Sequence, residues 1–323
     1  MSSCGFQNKI QINMKKLFIL IMTVAAFVAC NKEAAVETPE GDAIAFGDVF
    51  VDHSTKAIYE TANDLKGFTV WGNVANVALY GETGATVTRG DKALGAAWTC
   101  SATRYWTPSS TFNFAAIANG TGTDCVNGIP TKISYTLNGA DPADLVYGKA
   151  AATTDASCAP SGNITNGIVS FTLEHLLARV KVYFENQIEG GDYTYAISNV
   201  TLTTWDKGVY TIGAATPWAR EGEATTALPY TAIPSLTYST TPTEAGAQVV
   251  IPGAPVTLAF TYDLKLNGTT IYTETVSKTV ATTLVKGHSY NLNVQLKAGN
   301  KIDFTVVDGG LGGWTDGGTS NIK

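Results

Sequence analysis

Residues 256–266 read VTLAFTYDLKL, and Asn267-Gly268 come next. Val256, Leu258, Phe260, Tyr262, Leu264 and Leu266 are large and apolar, while Thr, Ala, Asp and Lys stand between them. Side chains alternate between the two faces of a strand, so this stretch reads as a strand with one buried and one wet face. Asn-Gly supplies two residues that accept the left-handed backbone of a tight hairpin. Residues 271–280 (IYTETVSKTV) then return as the partner strand. Residues 290–296 (YNLNVQL) repeat the alternation, and residues 302–306 (IDFTV) follow a turn around Gly299. This half of the chain is predicted to be antiparallel β.

The first half follows the same grammar less regularly. Candidate strands are 43–51, 68–71, 76–80, 111–117 and 169–185. In the last of these, Phe171 and Leu173 hold odd positions, whereas Ala178, Val180, Val182 and Phe184 hold even ones. Parity changes within Glu174-His175-Leu176-Leu177, which predicts a bulge or a short break there. A helix over 173–184 is the competing reading. Gly190-Gly191-Asp192 suits a domain boundary, and no long amphipathic helix is apparent. The expected fold is all-β, with two β-sandwiches in series over 43–189 and 190–323.

The N-terminal region has a different pattern. Met14-Lys15-Lys16 precedes an apolar run of 13 residues, 17–29. A membrane-spanning helix needs about 20 such residues, whereas the core of a secretory signal needs roughly 7–15. Phe27-Val28-Ala29-Cys30 resembles a bacterial lipobox, in which the cysteine is acylated and the signal is cut off before it. The order of charge, apolar run, small residues and Cys favours this over an ordinary buried cysteine. Residues 1–29 are thus expected to be leader and signal, with 1–13 preceding a better start at Met14. Cys30 would be the lipidation site and the link to the outer membrane, and more than one acyl chain is needed for stable anchoring. Residues 31–42 (NKEAAVETPEGD) carry few large apolar side chains and read as part of a flexible tether, 30–42.

Hydrophobic residues make up 45% of the chain, which is enough for packed cores. Net charge is −6 and charged residues are only 15%, so the basic stripe of a nucleic-acid binder is missing. Beyond Cys4 in the leader and Cys30, the cysteines are Cys100, Cys125 and Cys158, which allow at most one internal bridge. No C-x-x-C, H-E-x-x-H, G-x-S-x-G or P-loop occurs. His53, His175 and His288 read as strand or turn residues rather than metal ligands. Residues 309–314 (GGLGGW) resemble a calcium-binding glycine repeat only superficially, because Trp314 stands where Asp is needed. No pair of carboxylates is singled out. No catalytic residue, metal site or cofactor is expected, and the chain does not read as an enzyme. Trp71, Trp98, Trp106, Trp205, Trp218 and Trp314 either pack in cores or stack on sugars.

Several stretches resemble the fimbrillin family of Bacteroidetes lipoproteins, the subunits of type V pili. Ser54-Thr55-Lys56-Ala57 is similar to the family's "TRA" segment. Leu65-Lys66-Gly67-Phe68-Thr69-Val70-Trp71-Gly72 resembles an early family strand. Tyr105-Trp106-Thr107-Pro108, followed by Phe112-Asn113-Phe114-Ala115-Ala116, resembles another. Residues 171–180 (FTLEHLLARV) are similar to a core strand, and residues 306–322, with Trp314 and Asp316-Gly317-Gly318, resemble the terminal element.

The resemblance implies two tandem transthyretin-like β-sandwich domains, export across the outer membrane as a lipoprotein, and a surface location. It also implies that a trypsin-like protease removes the first strand, leaving a groove for a strand from another subunit. Here the cut would fall between Lys56 and Ala57, although the family usually has Arg where Lys56 stands. The displaced strand would carry Ile44, Phe46, Val49 and Val51. The donor would be the C-terminal stretch, with Phe304, Val306, Leu311, Trp314 and Ile322. Its partners would be other fimbrial subunits, the membrane and the protease. The alternative reading is a surface lipoprotein that does not polymerise and binds a glycan or host ligand, with Trp98, Trp106 or Trp218 as the stacking residues.

Overall fold

Residues 41–51, 65–91, 96–137, 142–308 and 319–322 are described by this computed structural model. The regular elements among them are all strands. The first six are β1 (Ala45–Val51), β2 (Gly67–Val74), β3 (Val77–Ala78), β4 (Ala85–Thr88), β5 (Thr99–Cys100) and β6 (Thr111–Ala118). Next come β7 (Thr121–Thr123), β8 (Lys132–Thr136), β9 (Val146–Thr154), β10 (Pro160–Gly162), β11 (Ile164–Thr165) and β12 (Ile168–His175). The second half opens with β13 (Ala178–Asn186), β14 (Tyr193–Trp205), β15 (Lys207–Thr211), β16 (Trp218–Arg220), β17 (Thr225–Pro229) and β18 (Ile233–Leu236). It ends with β19 (Thr243–Val250), β20 (Val256–Leu266), β21 (Thr269–Val280), β22 (Ser289–Lys297), β23 (Lys301–Asp308) and β24 (Thr319–Ile322).

The stretch that announces the fold is β20. It pairs antiparallel with β21 along its whole length. Asn267 and Gly268 join the two strands with φ of 49° and 81°, the left-handed pair that a tight hairpin requires. β20 belongs to a five-stranded sheet ordered β17-β14-β20-β21, with β18 also on β14. A second five-stranded sheet runs β19-β13-β22-β23-β24. The two sheets share one core, to which β13 contributes Val180, Val182 and Phe184, β20 contributes Leu258, Phe260 and Tyr262, and β22 contributes Leu292 and Val294. Phe184 meets Phe260 edge to face, with ring centroids 5.0 Å apart.

The first half builds a ten-stranded sheet along the path β1-β12-β9-β6-β2-β4-β5, with β3, β10 and β11 attached. One face of it holds Phe68, Val70, Phe114, Ala116, Phe171 and Leu173. The alternate residues Trp71, Ala115, Ile117 and Tyr147 join a separate core with Ile133, Tyr135 and Tyr210 from β8 and β15. Because β6 is buried on both faces, its sequence reads as a nearly continuous apolar run rather than an alternation. The four-stranded sheet β16-β15-β8-β7 supplies the cover on that second face.

The parity change at 174–177 is a break at which the chain moves from one sheet to another. β12 pairs with β1 and β9, whereas β13 pairs with β19 and β22. Leu176 and Leu177, both fully buried, lie between them. The competing helix over 173–184 does not form, because β-branched and aromatic side chains in β13 are used by neighbours on both edges. Gly190-Gly191 lies in the turn from β13 to β14, within the second group of sheets.

One other reading is corrected. The candidate strand 76–80 reduces to the two-residue β3, since Ala75 and Asn76 have φ of 48° and 65° and make a turn. Cys100, Cys125 and Cys158, for which at most one bridge was possible, form no disulfide with one another.

Candidate functional site

The segment whose position bears most directly on function is β1. Its sequence, AFGDVFV, has the alternation of a half-buried strand interrupted at Gly47-Asp48. The interruption is visible in the pairing with β12, which is parallel. Phe46 stands opposite Val169 and Val49 opposite Phe171, so two residues of β1 face one residue, Ser170, of β12. This bulge restores the inward direction of Val49 after the extra residue. Gly47 fits because a Cβ there would lie 3.1 Å from both the Ala96 carbonyl oxygen and Ile168 Cγ2.

The other edge of β1 has no continuous ladder among the described residues. It is held by separate backbone bonds from the segment around β5. Trp98 N–H donates to the Phe46 carbonyl at 2.7 Å, and Ile44 N–H donates to the Arg104 carbonyl at 2.7 Å. Trp106 N–H donates to the Asp42 carbonyl at 3.1 Å. β1 and β5 lie at opposite ends of the ten-stranded path, so β1 closes the curled sheet by bridging its two ends.

Side chains make β1 a plug. Ile44, Phe46 and Val49 are buried in the first core, with Phe46 at 0% exposure. The Phe46 ring lies edge-on to Phe114 at 5.5 Å and to Tyr80 at 6.0 Å, and stacks on Phe171 at 6.2 Å. Burial of such side chains contributes about 1.5–3 kcal/mol each, or about 5–9 kcal/mol for the three. Sequence alternation located the plug, but the groove wall formed by Tyr80, Trp98 and Arg104 was not legible, because those residues lie in irregular segments. Arg104 sits 5.6 Å above the Tyr80 ring, and its Nε donates to the Leu79 carbonyl at 2.5 Å. Burial pushes the Tyr80 phenol up, with Cys100 adding to the shift and Arg104 opposing it.

A capped loop supports the start of this segment. Asp155 Oδ1 accepts from Ser157 N at 2.8 Å, Ser157 Oγ at 2.7 Å and Ala159 N at 3.0 Å. These bonds hold its carboxyl below the usual value. The next residue but two, Cys158, packs so closely on Gly41 that a Cβ at Gly41 would lie 2.9 Å from Cys158 Cβ.

The remaining expected residues are dispersed. Phe304 and Val306 lie on β23, between β22 and β24, and Val306 is part of the second core at 2% exposure. Val51 and Ile322 fall within β1 and β24. Cys30, His53, Lys56, Ala57, Leu311 and Trp314 lie outside the described residues, as does the 309–314 glycine stretch. Trp98 at 5% exposure and Trp106 at 1% are core residues, so neither can stack on a sugar; only Trp218 of the three is half-exposed. His175 is buried against Asp144, and His288 stacks on Tyr290 at 6.1 Å. No cluster of three metal-binding side chains occurs among the described residues.

Residues 54–308 match a family described as fimbrillin-like. A solved fimbrial protein from Bacteroides vulgatus superposes with a TM-score of 0.55 at 19% identity, covering 84% of this chain and 99% of that one. A cell adhesion protein described as putative, from Bacteroides ovatus, gives 0.49 at 15% identity, over 86% and 99%. The fimbrial anchor protein Mfa2 of Porphyromonas gingivalis gives 0.41 at 10% identity, over 84% and 98%. At 19% identity the first of these likenesses speaks to fold alone. A search of curated proteins gives no match.

Proposed function

Because this chain belongs to the fimbrillin-like family, we propose that it is a subunit of cell-surface fimbriae that joins its neighbours by strand donation. In this reading the protein is exported, acylated on Cys30 and carried to the outer membrane surface. A trypsin-like protease cuts between Lys56 and Ala57, and the segment bearing Ile44, Phe46, Val49 and Val51 leaves. In the same reading the chain forms two transthyretin-like sandwiches in series, over 43–189 and 190–323.

The observation that carries the proposal is the attachment of β1. One edge is laddered to β12, the other is tied by isolated bonds, and three side chains fill the core beneath. Removing it exposes the β12 edge and opens an apolar trough, which is the template for an incoming strand. That strand would have to run parallel to β12 and place an aromatic side chain among Tyr80, Phe114 and Phe171.

The donor is the C-terminal end of a neighbour. β23 is paired on both edges and anchors its own core through Val306, so the part that moves is β24 and the glycine-containing stretch before it, with Leu311, Trp314 and Ile322 as its apolar side chains. Phe304 and Val306 stay in place as the root of that arm.

Limited trypsin digestion of purified protein tests this. Cleavage after Lys56 is expected to yield species that associate into detergent-resistant oligomers, and deletion of residues 309–323 is expected to abolish them. Trimmed protein that stays monomeric would remove the assignment.

A further inference from the structure

A cleft of about 880 Å³ lies away from β1 and is not used by strand donation. One wall is the outer face of the first sheet, with Tyr147 and Lys149 of β9 and Thr172 and Glu174 of β12. The opposite wall is the turn between β15 and β16, and the loop over 283–286 closes the end. Its volume lies within the roughly 300–1,000 Å³ range of small-molecule sites.

The lining combines aromatic surface with fixed polar groups. Tyr210 and Trp218 meet edge to face with centroids 5.4 Å apart. The Trp218 ring is held in place by an indole N–H bond to the Leu176 carbonyl at 2.9 Å. Glu174 and Lys286 form an ion pair at 2.7 Å, and Lys286 Nζ lies 5.5 Å from the centre of the Tyr210 ring. This pair joins the first sheet to the 283–286 loop and sets a carboxylate and an ammonium in known positions. Thr172, Thr216 and Thr283 add hydroxyls.

One group at this site has unmet bonding capacity. Tyr147 is 4% exposed, lines the cleft, and its hydroxyl has no hydrogen-bond partner. That hydroxyl is closed off from solvent, so Tyr147 shapes the cleft wall and does not itself meet a ligand. Burial pushes the Tyr147 phenol up, and nearby Glu174 and Tyr210 push in the same direction, so it remains a donor.

We propose that this cleft binds a short saccharide, with the half-exposed Trp218 ring against the sugar's C–H face and Glu174 and Lys286 bonding its hydroxyls. An aromatic wall suits the apolar face of a pyranose. A carboxylate and an ammonium at fixed positions provide the acceptor and donors that its hydroxyls need. A purely apolar ligand would leave the ion pair without use. The proposal is independent of polymerisation, because the cleft is complete within one chain.

The test uses full-length, unprocessed protein on an array of immobilised neutral, sialylated and uronate-containing oligosaccharides, followed by titration of the best glycan by calorimetry. Saturable binding is expected, weakened at least about tenfold by Trp218→Ala and by Glu174→Gln, and retained by Trp218→Phe. Circular dichroism of each variant guards against loss of fold, and Glu174→Gln alters an exposed side chain. Absence of any retained glycan, or binding that Glu174→Gln and Trp218→Ala both leave unchanged, overturns the proposal. Because the protein is unprocessed, neither outcome depends on whether trimmed subunits assemble.

Discussion

Phe46 meets Phe114 edge to face, with ring centroids 5.5 Å apart and planes at 82°. The contact joins the first strand to the centre of the ten-stranded sheet, although the two strands are not neighbours in it. The attachment of β1 is therefore a matter of side-chain packing at least as much as of backbone bonding.

Phe46→Ala is expected to lower stability by about 3–5 kcal/mol, the range for emptying a fully buried aromatic site. Urea denaturation measures it. A loss below about 1 kcal/mol would mean that the trough collapses without its plug, and a groove awaiting another strand could not persist.

Gly41→Val drives a side chain into the Trp106 carbonyl oxygen and Cys158. The strain falls on the entry to β1 and leaves the second core untouched. Hydrogen exchange should rise at least about tenfold at the Ile44 amide and stay unchanged along β20, because local openings report local stability. Equal protection at Ile44 in both proteins would show that this end of β1 is not anchored there.

His175 Nδ1–H donates to Asp144 Oδ2 at 2.5 Å, and both side chains are buried. The pair sits where the chain changes sheets, and the Asn119 amide holds the Asp144 carbonyl at 2.7 Å. His175→Ala leaves a buried carboxylate without that partner and is expected to cost about 3–5 kcal/mol. The double variant with Asp144→Ala should recover part of the loss in a denaturation cycle. Additive losses would show that the two side chains act independently.

The Asp155 carboxyl is held below its ordinary 3.8 by the bonds from Ser157 and Ala159. A depressed folded-state value means that the stabilisation is present above the unfolded value and is lost as pH falls through the folded one. The loop over 155–159 is therefore expected to loosen only below the usual carboxylate range. Amide exchange at Ala159 measured down that range checks the sign, and Asp155→Ala should abolish the dependence.

What could be read from the sequence, and what could not, follows from how many faces each strand buries. β20, β21 and β22 stood out because period-two alternation runs unbroken between clear turns. β14 did not, since Asn199 at φ 53° and a bulge between Ser198 and Thr201 reset its parity. β9 was missed because it buries small side chains, among them Gly148, Ala150 and Ala152. β19 was missed because Gly246, at φ 131°, interrupts an already weak pattern.

The sequence by itself determined that the described part of the chain is all-β and that the hairpin of β20 and β21 turns at Asn267-Gly268. Each follows from local periodicity or from the backbone freedom of one or two residues. Only the tertiary structure decided that β1 lies parallel to β12 and bridges the sheet to the Trp98–Trp106 region. Only it brought Glu174 to Lys286 across a cleft and buried His175 against Asp144. Those pairings join residues far apart in the chain, and their partners are selected by packing that no local pattern encodes.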